Sequence, residues 1–223
     1  MDAQFEGLKK IPPEPAARVL ARCNVKLKTP VKAPAAASVP MVLDELAGAG
    51  GWLDLLQLLA AALPPREAVW WACLAARDLT GPVKGKAVPP PLAAAEAWVF
   101  QPSDDTRAAA KQAIDTVDPD DDTVYCAMAA LYAAGTLGPG ELSEYPAPPN
   151  AVAATVQTMN MLSAKANAKR FDAHVQLLVA RGLDIARGGN GNVEPEATAE
   201  ADAAAAPAAG EGPTETTAPK GAT

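Results

Sequence analysis

His174 and the three cysteines, Cys23, Cys73 and Cys126, are the side chains of this 223-residue chain best suited to nucleophilic or metal chemistry. A cysteine nucleophile needs a nearby base and a setting that stabilises its thiolate, such as a cation or a helix N-terminus. Cys73 and Cys126 sit among alanines in apolar stretches without a charge close by, so a pairing with His174 is not expected and all three read as buried thiols. Their number is odd and their spacing is about fifty residues, which fits neither a disulfide framework nor a zinc-ligand pattern. A single histidine excludes His-rich metal sites.

Asp118, Asp120 and Asp122 have the alternate spacing of a calcium loop, but Thr123 stands where that loop needs glycine and Ala129 where it needs a bidentate glutamate. The same acids suit a helix start, with Asp118 as N-cap and Pro119 in the first helical position. No GxGxxG, Walker or GxSxG pattern occurs, and GGNGN at 188–192 follows a helical segment instead of preceding one. No cofactor, metal or catalytic residue is expected. A site assembled from dispersed groups such as Arg66, Arg77 and Glu96 is left as the enzymatic alternative.

Net charge is −7, and five of those charges lie from Gly188 onward, where six acids face one lysine. The remaining body is nearly neutral, so nothing draws it to nucleic acid or anionic lipid. Lys165, Lys169 and Arg170, with Arg181 beyond them, form the one basic stripe, and Asp172 and Asp184 interrupt it; it reads as a solvated helix face. The N-terminus lacks the apolar run of a secretory signal. The longest uncharged stretch, Thr123 to Gly140, is broken by Gly135, Gly138 and Pro139 and is too short to span a bilayer. A soluble, cytoplasmic protein is the expectation.

Alanine supplies 52 residues and aromatics only 4% of the chain, a balance that favours helices over strands. The pattern predicts an all-α protein with one multi-helix domain at 41–187. Residues 1–40 read as a short helix from Glu14 to Cys23 and an extended connector with Lys26, Lys28 and Lys32; residues 188–223 read as a disordered acidic tail. Within the domain, helices are predicted from Met41, Trp52, Pro65, Leu92, Ser103, Asp118 and Asn150. The last runs to Arg187 with a break in the polar segment SAKANAKR at 163–170. VWWACLAA at 69–76 echoes VYCAMAAL at 124–131, which suggests a duplicated unit or a short solenoid-like stack.

Adjacent helical residues point about 100° apart, so Trp70 and Trp71 cannot form one flat binding platform. A helix apolar around most of its circumference is expected at the centre of the domain, with both indoles packed inside. The predicted core is Trp70, Trp71, Cys73, Leu74, Trp98, Tyr125, Met128 and Leu131. Their indole N–H groups need acceptors, for which carbonyls, Glu96 or Asp78 are candidates. What remains for function is protein binding. Met159 and Met161, followed by Lys165, Lys169 and Arg170, make the last helix the candidate interaction surface, since flexible methionines suit an adaptable peptide or helix site.

The stretch PPREAVWWACLAARD, Pro64 to Asp78, resembles the signature of a poorly characterised proteobacterial family of small Ala-rich proteins associated with type VI secretion gene clusters. The resemblance covers about residues 12–187 and brings no catalytic residues. It implies a cytoplasmic accessory acting on a secretion component or effector. Three readings follow: a non-enzymatic adaptor or chaperone with a protein partner, a self-associating helical scaffold, and an enzyme built from dispersed arginines and carboxylates.

Overall fold

Proline and glycine set most of the helix boundaries. The computed structural model describes residues 2–81 and 87–193, and among them every regular element is helical. The order is α1 (Ala16–Arg22), α2 (Val39–Gly48), α3 (Trp52–Ala62), α4 (Pro65–Thr80), α5 (Pro90–Phe100), α6 (Asp104–Asp115), α7 (Val124–Tyr132), α8 (Ala151–Ala166) and α9 (Phe171–Arg187), with single 3₁₀ turns at Ala3–Phe5, Gly140–Glu144 and Ala168–Arg170. Pro40, Pro65 and Pro90 occupy first-turn positions, where the missing N–H costs nothing. Gly81 and Gly188 take positive φ at the C-caps of α4 and α9, a conformation that β-carbon-bearing residues avoid. The Ser103 hydroxyl accepts from Thr106 N and the Thr106 hydroxyl from Ser103 N, which closes a reciprocal cap at the head of α6.

The centre is α4. Ala68, Val69, Trp71, Ala72, Cys73, Ala75 and Ala76 are fully buried, and α5, α7, α8 and α9 pack around them. Alanine lets those backbones approach, and Trp71 fills the gap that remains. Its ring lies over α9 at Gly182, where an added Cβ would stand 3.0 Å from Cζ2 of the indole. Its N–H donates to the Leu178 carbonyl at 3.0 Å, so the buried donor is satisfied by backbone rather than by Glu96 or Asp78. Cys73 of α4 and Cys126 of α7 meet as buried free thiols. The two echoing segments thus lie in α4 and α7, helices that pack against each other. The first residues also meet the end of α9: Lys10 N donates to the Ala186 carbonyl, and Arg187 donates to the Gln4 and Glu6 carbonyls.

Residues from the 2–40 stretch pack into this same core. Phe5, Leu8, Ile11, Ala16 and Val19 are buried in it. The connector is pinned along its length by two carboxylates. Asp54 Oδ2 accepts from the backbone N–H groups of Lys28 at 3.0 Å and Thr29 at 2.6 Å, and Glu45 accepts from those of Lys32 and Ala33. Thr29 presses so closely on Gly51 that a Cβ there would meet its hydroxyl at 2.5 Å. Extended backbone cannot satisfy its own donors, and these acids supply the acceptors that a neighbouring strand would otherwise give.

Several expectations need correction. Trp70 is half-buried: its N–H donates to the Asn190 carbonyl at 2.7 Å and its ring meets the exposed Phe100 edge-on. Tyr125 and Met128 are also half-buried, because with Tyr132 they share the outward face of α7, while Cys126, Ala127, Ala129, Ala130 and Leu131 face inward. Trp98, Cys73, Leu74 and Leu131 are buried as expected. Asp118 does not cap α7. That helix starts at Val124 after a turn in which Asp118 accepts from Asp120 N, and Asp121 accepts from the backbone N–H and the hydroxyl of Thr123. The tail reading began at Gly188, but Gly188–Asn192 fold back on α4 and α9, with Gly191 N donating to Asp184 and its Cα against Leu74 and Ile185. The rest of that reading, from residue 194 onward, lies outside the described residues.

The two indoles therefore differ in energetic weight. Trp71→Ala lowers the unfolding free energy by about 3–5 kcal/mol, whereas Trp70→Ala costs only about 1–2 kcal/mol because much of its surface already meets water. Urea unfolding monitored by circular dichroism measures both, and equal losses would contradict the assignment.

Candidate functional site

The structure separates the residues of the candidate interaction surface. Met159 is fully buried beneath α4 and is core. Met161, two positions on, points instead into an open groove, and Arg170 stands at the mouth of a polar cavity. Lys165 and Lys169 are exposed and line neither. The reason is the break in the last helical stretch. Asn167 closes α8, donating from its backbone and its side-chain amide to the Ser163 carbonyl, and the 3₁₀ turn that follows redirects the chain into α9. Residues on either side of such a break no longer share one face.

The groove has a volume of about 600 Å³ and runs between the head of α3, the second half of α8 and the head of α9, with the connector along one edge. Trp52, Leu53, Met161, Phe171 and Val175 give it apolar walls, and Leu53 is 46% exposed. Gln57 and Gln157 supply amides, and Lys28 and Asp172 add charges of opposite sign. Gln157 Oε1 is buried and has no hydrogen-bond partner, an acceptor withdrawn from water at a cost. Asp54 also lines the groove, but its carboxylate is committed to the connector. Burial pushes its acidity down, and the hydrogen bonds from Thr29 and Lys28 outweigh that, so it stays ionised below the usual carboxylate range. Its role there is to hold the edge of the groove in place. Leu53 and Gln157 were not singled out by the sequence, in which nothing local distinguishes a groove wall from a core face.

The polar cavity, about 320 Å³, lies between the C-terminal turn of α4 and the first turns of α9. Arg181 pairs with Asp78 inside it, and Arg77 Nε donates to Glu96 at 2.6 Å beside it. His174 Nε2 is 2.8 Å from the Ser163 hydroxyl and 3.6 Å from Asp78 Oδ2. Ser, His and Asp are thus assembled, but the serine and the carboxylate approach the same ring nitrogen. A proton relay needs them on opposite nitrogens, and Ser163 is fully buried, out of reach of any substrate. The trio is a structural bridge between α8, α9 and α4.

Other candidate chemistry is dispersed or inert. Arg66 lies against the Val99 carbonyl on the Trp70–Phe100 ledge, apart from the Arg77–Glu96 pair, so the three residues of the enzymatic alternative do not converge. The Cys73 thiol is pushed well above its ordinary value by its hydrogen bond with Cys126 and by burial, which keeps it protonated. Among the described residues no group of three or more His, Cys, Asp or Glu side chains is placed to hold a metal ion, and no helix is long and apolar enough to cross a membrane.

Residues 42–186 match DUF6931, a family of unknown function, and the chain belongs to that family. The match takes in α3 to α8 whole, together with most of α2 and α9, and so includes both the groove's helices and the polar cavity. No curated protein and no solved structure matches the chain.

Burial lowers the proton affinity of His174, Asp78 opposes this, and Arg181 and Arg170 reinforce it. The folded state therefore favours neutral imidazole, while the unfolded chain takes up its proton near pH 6.5. Stability is full above that pH and falls as the pH drops below it. His174→Gln removes the slope between pH 6.5 and the onset of carboxylate titration. Thermal unfolding of both proteins across this range measures it; an unchanged slope would mean another group carries it.

Proposed function

We propose that the protein is a cytoplasmic, non-enzymatic protein-binding accessory, an adaptor or chaperone, that holds an apolar segment of a partner in the groove between α3, α8 and α9. The observation that carries this reading is the combination within that groove of exposed Leu53 and half-buried Trp52, Met161 and Phe171 with the orphaned Gln157 acceptor. An apolar cleft with a few fixed polar groups is the usual form of a peptide site, in which side chains supply area and an amide sets the register. Methionine at the wall adapts to sequences of different shape. The suggestion of a secretion component or effector as partner is supported by the resemblance of Pro64–Asp78 to a family associated with type VI secretion clusters.

The test is affinity purification of the full chain from its native cell, followed by mass spectrometry, in parallel with Leu53→Asp and Met161→Glu. A charge at either position costs desolvation in any apolar complex, so the specific partner falls by about tenfold or more, equivalent to about 1.4 kcal/mol, while Lys165→Gln retains it. Retention by both groove variants would overturn the reading. A mass that rises with concentration for the parent chain and not for the groove variants would reassign the groove to self-association.

A further inference from the structure

A second site is carried by the cavity on the other flank of α9, independently of the groove. Arg77, Arg170 and Arg181 converge on this space with Asn167 and His174, and among the described residues Asp78 is the one carboxylate lining it. Glu96 answers Arg77 from outside, so among the described residues three guanidinium groups face two carboxylates and one positive charge is left over. Guanidinium is the side chain whose planar fork best fits the paired oxygens of phosphate and carboxylate.

Arg181 shows that the protein does not complete this arrangement by itself. One of its terminal nitrogens donates to Asp78, but its Nε–H is buried with no acceptor. A buried donor on a charged group is costly to leave unmade, so Arg181 gains a bond if its side chain shifts towards an oxygen atom that enters the cavity. The first turn of α9 adds further donors: the helix has no side-chain cap, and Ala173 and His174 of that turn line the cavity. The C-terminus of α4, ending at Gly81 on the opposite wall, contributes partial charge of the opposite sign. The two helix ends offset each other, so the arginines must dominate. The free volume of about 320 Å³ corresponds to the liquid volume of about ten waters, which admits a compact anion.

The geometry points to an oxyanion-binding site between α4 and α9, in which Arg170 and Arg77 at the mouth and Arg181 at the floor hold a phosphate or carboxylate group. Arg181 is already fixed by Asp78, so the floor is preorganised and Arg170 completes the site when the anion enters.

The test uses the full chain and calorimetric titration at constant ionic strength, with inorganic phosphate in one arm and acetate in the other. Saturable binding is expected in at least one arm, which also identifies the chemistry. It weakens about tenfold or more in Arg170→Gln, an exposed position whose replacement leaves the melting temperature without anion unchanged, and persists in Lys165→Gln and Leu53→Asp. Absence of saturable binding in both arms would overturn the site, as would equal binding by the parent chain and Arg170→Gln. If Arg170→Gln also lowers the melting temperature, Arg77→Gln gives the same comparison from the opposite wall.

Discussion

The close approach of α4 and α9 over Trp71 is the constraint on which the rest of the molecule depends. An indole is the largest side chain the chain has, and here it is entirely dry, so its volume must be matched by an absence on the facing helix. Gly182 is that absence. The Leu178 carbonyl one turn earlier then lies within reach of the indole N–H, which removes the polar cost of burial without a charged partner. Because this contact fixes α9 against α4, it also fixes everything α9 carries: Phe171, Asp172 and Val175 on the groove, His174 and Arg181 on the polar cavity.

A second constraint acts on the chain before α2. The stretch from Asn24 to Pro34 has three lysines, two prolines and no helical period, which by itself describes a solvated linker. Its order comes from acceptors elsewhere in the sequence. Asp54 and Glu45 each receive two consecutive backbone N–H groups, and Gly51 leaves room for Thr29. This converts a connector into the edge of the groove, so the groove wall depends on an ionised, mostly buried carboxylate as much as on apolar packing.

The helices were legible where local chemistry decides them. Pro65 and Gly81 bracket α4, Ser103 caps α6, Asn150 precedes α8, and the uncharged circumference of α4 announced its central place. What stayed hidden was set by long-range partners. No local pattern distinguishes Trp70 from Trp71; the difference lies in whether α9 or solvent stands opposite. Tyr125 and Met128 lie in an apolar run whose outward face only the packing of α5, α6 and α8 defines. The Asp118 segment offered several acceptors to several donors, and the turn around Asp121 took them before a helix could start. Met159 and Met161 looked alike in sequence, yet two residues along a helix is a rotation of about 200°, enough to send one into the core and the other into the groove.

The break at Asn167 explains why both candidate sites occur together. SAKANAKR buries only Ser163 and Ala164, and from Lys165 onward it offers no large apolar side chain, so a helix continued through it would project into solvent with little packing to sustain it. Asn167 ends it by bonding back to the Ser163 carbonyl, and the chain turns within three residues. The turn sets the end of α8 beside the head of α9. On one side this juxtaposes Met161 with Phe171 and makes the groove; on the other it brings Asn167 and Arg170 over His174 and Arg181 and makes the polar cavity. Ser163 and His174 tie the corner from within, across eleven residues of sequence, through a hydrogen bond that neither solvent nor ligand reaches. A polar segment that leaves the core after Ala164 thus borders both the groove and the polar cavity at the expense of helical continuity, and that is where sequence-level reasoning should expect function in a chain whose helices are otherwise occupied in packing.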